Sequence, residues 1–339
     1  MKIAETPKFN EDDIQKLLQK LNLLRAEIQK VIIGQEDTIE QLLTAFLSGG
    51  HCLLEGVPGL VKTLMIRTLA NAVHLSFHRI QFTPDLMPSD IIGTEILEED
   101  HATGKRFFKF NKGPVFANIV LADEINRTPP KTQSALLEAM QEFEVTYGGK
   151  TYELERPFFV LATQNPIEQA GTYPLPEAQL DRFLLNIEIS YPTEEKELQI
   201  LSATTGNIVA EAQPVMTADE ILNAQRIARE VIINEALLAY VNRLIRATRP
   251  NGSSIEKVSE WVRWGAGPRA GQAIILTSKA RALLNGRFSV TLDDIKSMAF
   301  PVLRHRVLVN FKAEAERITS DHITRELLEK VPEPKSPLE

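Results

Sequence analysis

Cys52-Leu-Leu-Glu-Gly-Val-Pro-Gly-Leu-Val-Lys-Thr-Leu64 is the stretch on which the reading of the fold turns. Cys52, Leu53 and Leu54 are consecutive apolar residues, the pattern of a short buried strand. A turn rich in glycine and proline follows, from Gly56 through Pro58 to Gly59. Leu60, Val61, Lys62 and Thr63 then lead into an apolar-periodic run, Leu64, Met65, Ile66 and Leu69, which predicts a helix. Strand, glycine-rich turn, Lys-Thr and helix form the context of a phosphate-binding loop. Glycines let backbone N–H groups turn inward around phosphate oxygens, and the helix N-terminus adds the positive end of its dipole. In such a loop Lys62 reaches the outer phosphates and the Thr63 hydroxyl ligates Mg²⁺. One residue departs from the usual pattern: Val61 stands where glycine usually precedes the lysine. A β-branched residue is costly at positive φ, so Val61 is expected at negative φ, as the start of the helix.

The rest of the 339-residue chain bounds the context. Its length suggests two domains, or one large and one small. A hydrophobic content of 43% and a charged content of 24% are those of an ordinary globular protein. A single cysteine, Cys52, excludes a disulfide framework within one chain and fits a reducing compartment, so a cytoplasmic location is expected. The N-terminus lacks the long apolar stretch of a signal peptide, and no run approaches the ~18 apolar residues a membrane span needs. The net charge of −7 gives no overall pull toward nucleic acid.

Before the loop, Ile14, Leu17, Leu18, Leu21, Leu24 and Ile28 fall near one face of a helix over residues 11–30. A second helix over 36–48 is closed by Gly49-Gly50. After the loop, an alternating strand is predicted at 76–82 and apolar strands at 118–124, 157–163 and 183–189. Helices separate most of them, the pattern of an α/β fold with a parallel sheet covered on both faces. Two hairpins interrupt it, one within 94–110 and one within 145–154 around Gly148-Gly149. From Pro192 onward strand signals nearly vanish. Thr217 and Thr291 read as helix caps, and Pro268 as a helix start. A division follows: residues 1–192 form the α/β nucleotide-binding domain and 193–339 a helical domain.

Ligands in such sheets bind outside the carboxyl ends of the strands, where Lys62, Asp123 and Asn165 all fall. Asp123 and Glu124 end an apolar strand. The first is placed to hold Mg²⁺ through its hydration shell, the second to polarise the attacking water. Asn165, in Ala162-Thr-Gln-Asn-Pro166, supplies a neutral amide that orients that water or meets the outer phosphate, unless it serves only an Asn-Pro turn. Arg182, in Gln179-Leu-Asp-Arg-Phe183, reads as an arginine finger for a neighbouring subunit, or as a salt-bridge partner of Asp181 or Glu177. Arg269 opens a helix of the second domain, from which a guanidinium spans the domain cleft to the phosphates. Arg67, Arg127 and the cluster Arg304-His305-Arg306 read as surface charges or ion-pair members, and Trp261 and Trp264 as packing residues. The histidines show no metal-ligand spacing.

These motifs converge. The chain resembles the MoxR family of AAA+ ATPases over roughly residues 20–320. The carrying stretches are Ile32-Ile-Gly-Gln35, the loop quoted above, Phe82-Thr-Pro-Asp-Leu-Met-Pro-Ser-Asp90, Gly113-Pro-Val-Phe-Ala-Asn118, Leu121-Ala-Asp-Glu-Ile-Asn-Arg127, Lys131–Glu142, Ala162–Pro166 and Leu175–Phe183. The resemblance implies an AAA+ P-loop NTPase with a five-stranded parallel sheet and a smaller all-α lid. It makes Asn165 the sensor-one residue, Arg182 the finger and Arg269 the sensor-two residue, and it places the adenine near Ile32, Ile33 and Gly34. It implies ATP and Mg²⁺ as ligands, a homo-oligomeric ring, usually hexameric, and von Willebrand factor A-type partner proteins. It implies chaperone-like maturation of other proteins as the task. Related motors suggest alternatives: a nucleic-acid motor, which the acidic balance opposes, a metal-chelatase motor subunit, or a nucleotide-gated scaffold of low turnover, which Val61 makes conceivable.

Overall fold

The strands sort by burial before they sort by order. Cys52–Gly56, Ile119–Asp123 and Phe159–Gln164 are buried along almost their whole length, as strands covered on both faces must be. The computed structural model describes residues 11–56, 61–99, 104–164, 171–206 and 210–334. In chain order the first part comprises α1 (Glu11–Val31), α2 (Glu36–Ser48), β1 (Cys52–Gly56), α3 (Lys62–Ala72), β2 (Phe77–Gln81), α4 (Pro88–Ile92), β3 (Gly93–Glu99), β4 (Arg106–Lys112), β5 (Ile119–Asp123) and α5 (Pro130–Glu142). It continues through β6 (Glu144–Tyr147), β7 (Lys150–Glu153), β8 (Phe159–Gln164), α6 (Glu177–Leu180) and β9 (Leu185–Ile189). The second part comprises α7 (Glu194–Thr204), α8 (Ala218–Glu230), α9 (Glu235–Ala247), α10 (Glu256–Trp261), β10 (Val262–Trp264), α11 (Pro268–Leu284), α12 (Leu292–Leu303), β11 (Leu308–Val309), α13 (Phe311–Ala315) and α14 (Ser320–Lys330).

The central sheet has five parallel strands in the order β2-β5-β8-β1-β9. Alternation along the strands divides the apolar residues between two cores. Cys52, Leu54, Leu121, Leu161 and Ile187 face α1, α2 and α3 in a core that runs without a break into the helices of the second part. Leu53, Val120, Ala122 and Val160 face the other way, onto α5 and the loops around it. The helical lid is therefore welded to one face of the sheet through shared apolar packing.

The two expected hairpins are present. β3 pairs antiparallel with β4, and β6 with β7. The β6–β7 turn puts Gly148 and Gly149 at φ 57° and 76°, values that glycine adopts without a Cβ penalty. The hairpins lean on each other through Phe110, which stacks on Tyr152 at 4.4 Å between ring centroids and meets Tyr147 at 5.2 Å. Thr217 and Thr291 cap α8 and α12 with capping boxes. One feature of the lid departs from the all-helical expectation: β10 and β11 form a small antiparallel ladder. Its strands have three and two residues, too short for a periodicity of two to show in the sequence.

Candidate nucleotide site

Parallel strands bring their carboxyl ends to one edge. β1 ends at Gly56, β5 at Asp123 and β8 at Gln164, and Gln81 at the end of β2 lies opposite Asp123. The residues from 57 to 60, which include Pro58, Gly59 and Leu60, and the residues from 165 to 170, which include Asn165, lie outside those described. What flanks them is clear. Lys62 opens α3, half-buried, and its Nζ donates to the Gly56 carbonyl at 2.6 Å, spanning the base of the loop. Burial lowers the Lys62 pKa, and the charges of Asp123, Glu124 and Glu55 oppose that shift. Lysine and both carboxylates thus share one electrostatic environment.

Val61 corrects the expectation of negative φ. Its φ is 20° and its ψ 7°, at the margin of the left-handed region. The reason is local. Val61 is the N-cap residue of α3, and its side chain packs against the apolar core. Val61 is the N-cap of α3 and offers no side-chain cap, so the first N–H groups of α3 remain for an anion. Thr63 is half-buried in the first turn and Leu64 is exposed.

Asp123 and Glu124 are held by a residue that the sequence reading overlooked. The buried Thr163 donates its hydroxyl proton to Asp123 Oδ1 at 2.6 Å and accepts from the Glu124 backbone N–H at 2.9 Å. That second bond supports Glu124 in the left-handed region, at φ 57° and ψ 49°, a conformation a non-glycine residue keeps only when its surroundings enforce it. Asp123 Oδ2 accepts from Arg79 Nη2 at 2.6 Å, and Glu124 Oε2 accepts from Gln81 at 3.1 Å and pairs with Arg127 at 3.1 Å. A hydroxyl from Thr63 and a carboxylate from Asp123 are hard oxygen donors, a set that fits Mg²⁺ held mainly by water and substrate phosphates.

Ile32, Ile33 and Gly34 close the same edge. Ile32 is buried, Ile33 half-buried, and Gly34 has φ 76°. A Cβ on Gly34 would stand 2.9 Å from Lys196 Cβ and 3.3 Å from Pro192 Cβ, so only glycine fits between α2 and the chain leaving β9. Gln35 fixes this segment by donating to the Ser190 carbonyl at 3.0 Å. Register puts Gly56 opposite Ile189, so the segment neighbours the phosphate loop.

Arg182 and Arg269 lie elsewhere. Leu184 N–H donates to the His51 carbonyl, just before β1, so residues 181–184 sit at the amino ends of the strands. His51 is about 17 Å back along the chain from Gly56 at ~3.3 Å per residue. Arg182 makes neither expected salt bridge, and its Nη1 donates to the Leu137 carbonyl at 2.9 Å. Arg269 pairs with Asp181 at 3.3 Å. This changes the cleft-spanning position expected for Arg269. The cause is the packing of α11 antiparallel to α2: Arg281 and Asn285 meet Glu40, whereas Leu276 meets Ser48. Arg269 therefore lies about 18 Å along the axis of α11 from the level of Glu40, at 1.5 Å per residue, away from Gly34. Of the cluster read as surface charges or ion-pair members, the second alternative holds for both arginines: Arg304 pairs with Asp321 at 2.7 Å, and Arg306, buried with His305, pairs as well. His305 Nε2 meets the Phe183 carbonyl, and Arg306 pairs with Asp181 at 2.8 Å.

Comparisons with known proteins agree with this architecture. The family described as "ATPase family associated with various cellular activities (AAA)" matches residues 51–185, and the AAA lid domain matches 256–327. The chain is 44% identical to the chaperone MoxR1 of Mycobacterium tuberculosis, over 91% of this chain and 81% of that one. It is 42% identical to the uncharacterised protein YeaC of Bacillus subtilis, over 96% and 97%, and 29% identical to the protein MoxR of Methylorubrum extorquens, over 91% and 93%. A crystal structure of a proposed ATPase from Cytophaga hutchinsonii superposes with a TM-score of 0.88 at 44% identity, covering 96% of this chain and 98% of that one.

Proposed function

Because this chain belongs to the MoxR family of AAA ATPases, we propose that it binds ATP with Mg²⁺ and hydrolyses it in a ring of identical subunits. The observation that carries the reading is the meeting of Lys62, Asp123 and Glu124 at one edge of the sheet, with Thr163 fixing the two carboxylates. Lys62 binds the outer phosphates, with the loop through Gly56, Pro58, Gly59, Leu60, Val61, Thr63 and Leu64 around them. Ile32, Ile33 and Gly34 hold the adenine. Mg²⁺, when bound by Thr63 and Asp123, screens phosphate charge. Glu124 orients water and takes its proton, and Asn165 completes the site. The residues 1–192 form the catalytic unit and 193–339 the lid.

The position of the two arginines supports a shared site. Arg182 and Arg269 sit at the opposite end of the sheet from their own Lys62, where they serve the nucleotide of the next subunit. We take the ring to be hexameric and cytoplasmic. Its task is the chaperone-like maturation of client proteins with von Willebrand factor A-type partners, in keeping with the chaperone MoxR1. Among the described residues no helix is long and apolar enough to cross a membrane.

The test is steady-state hydrolysis of ATP with Mg²⁺ across a range of protein concentrations. Wild type turns over, and its specific activity rises with concentration as subunits assemble. Glu124→Gln keeps ATP binding but loses at least about 100-fold in kcat, the scale of a general base. Full activity in Glu124→Gln overturns the assignment.

A further inference from the structure

We propose that Asp181 is a positioning residue that aims Arg269 at a neighbouring subunit's nucleotide, a proposal that rests on the shared-site reading above. Asp181 is an unusual carboxylate for a surface pair because it is fixed from beneath. Arg306 is only 8% exposed and spends every donor on this junction. Its Nε donates to Asp181 Oδ1 at 2.8 Å, its Nη1 to the carbonyls of Leu184 and Val302, and its Nη2 to those of Phe183 and Asp181. The carboxylate is thereby locked to the end of α12 and to the start of β9. Only Oδ2 is left facing outward, and it takes Arg269 Nη1 at 3.3 Å.

Arg269 itself is loose. Its side chain is 66% exposed, and an exposed pair of this kind contributes little to stability. What the pair does is select one direction for a long side chain that has many. Beside it lies a cavity of about 490 Å³ lined by Glu177, Asp181, Arg263, Trp264 and His305. Asp181 and a second carboxylate, Glu177, both line that cavity, so on this proposal the loss of Asp181 frees Arg269 to take other directions. Asp181 is also joined by one peptide bond to Arg182, whose guanidinium is set by the Leu137 carbonyl. Finger and lid arginine therefore stand on one rigid base, and a displacement of the lid through Arg306 moves both. Asp181 touches no substrate and acts through Arg269.

The experiment is a double-mutant cycle on ATP turnover by the full chain at assembling concentrations. The variants are Arg269→Ala, Asp181→Asn and the double variant, with melting curves to confirm folding. Arg269→Ala is expected to lower kcat about tenfold or more, and Asp181→Asn to lower it several-fold. The double variant is expected to be no slower than Arg269→Ala alone, because Asp181 has nothing left to aim. Asp181→Glu keeps a carboxylate for Arg306 while displacing its outer oxygen. It is expected to show the same non-additivity, and it decides the matter if Asp181→Asn does not fold. Losses that multiply, or wild-type kcat in the Asp181 variants, overturn this proposal alone. Wild-type kcat in Arg269→Ala overturns the shared-site role of Arg269 and the proposal with it.

Discussion

Val61 shows how one side chain can carry information that its neighbours do not. Sterics alone argue for negative φ, yet Val61 caps α3 at 20°. Two small substitutions read that sign directly. At negative φ, alanine is more stable than glycine by 0.5–1 kcal/mol because glycine loses more chain entropy. In the left-handed region, Cβ crowding outweighs that entropy. Val61→Gly is therefore expected to be more stable than Val61→Ala by roughly 1 kcal/mol in urea denaturation. The reverse order places Val61 at negative φ. Lys62, Thr63, Asp123 and Glu124 were legible in the sequence because their motif is contiguous or ends a strand. Thr163 was not. It reads as one more polar residue in Ala-Thr-Gln-Asn, and its role appears only when β8 lies beside β5 and its hydroxyl reaches Asp123.

Elements were legible where a period ran long enough. The helices at 11–31 and 36–48, the buried strands and the Gly148-Gly149 turn all follow from local pattern. What joins elements was not, and His51 is an example. It precedes β1, accepts the Val160 N–H of β8 at its Nδ1, and so keeps its proton on Nε2 for the Met140 carbonyl of α5 at 3.0 Å. One neutral imidazole thus binds two strands and a helix. Burial holds its pKa down at about 4, from an ordinary 6.5. The folded state resists the proton that the unfolded chain takes up near pH 6.5. The stabilisation is complete above that pH and is lost progressively as pH falls to about 4. The loss amounts to about 3 kcal/mol at 1.36 kcal/mol per unit. Urea midpoints between pH 7.5 and 4 check this. The fall should be steeper in wild type than in His51→Gln, which cannot titrate, and equal slopes would remove His51 from the account.

At the scale of the whole molecule, the position of Arg269 depends on how α11 lies along α2, a long-range fact that no local spacing encodes. A guanidinium at the start of a lid helix is equally compatible with reaching its own phosphates or those of a neighbour. The antiparallel packing of α11 on α2, and the seating of Arg304 and Arg306 on β9, set Arg269 away from its own Lys62 and so support the second, as proposed above. The chain has its phosphate loop at one end of the sheet and its arginines at the other. On the proposed reading, a single subunit would hold two halves of different sites, and closing a ring would join each half to its complement.

That geometry has a direct test in mixed rings. Glu124→Gln subunits have a disabled catalytic edge and an intact Arg182, whereas Arg182→Ala subunits have the opposite. Each alone is expected to be nearly silent. Diluted, combined in equal amounts and allowed to reassemble, they should recover about a quarter of wild-type ATP turnover, since one junction in four pairs an intact edge with an intact arginine. A mixture as silent as its components would contradict the shared site.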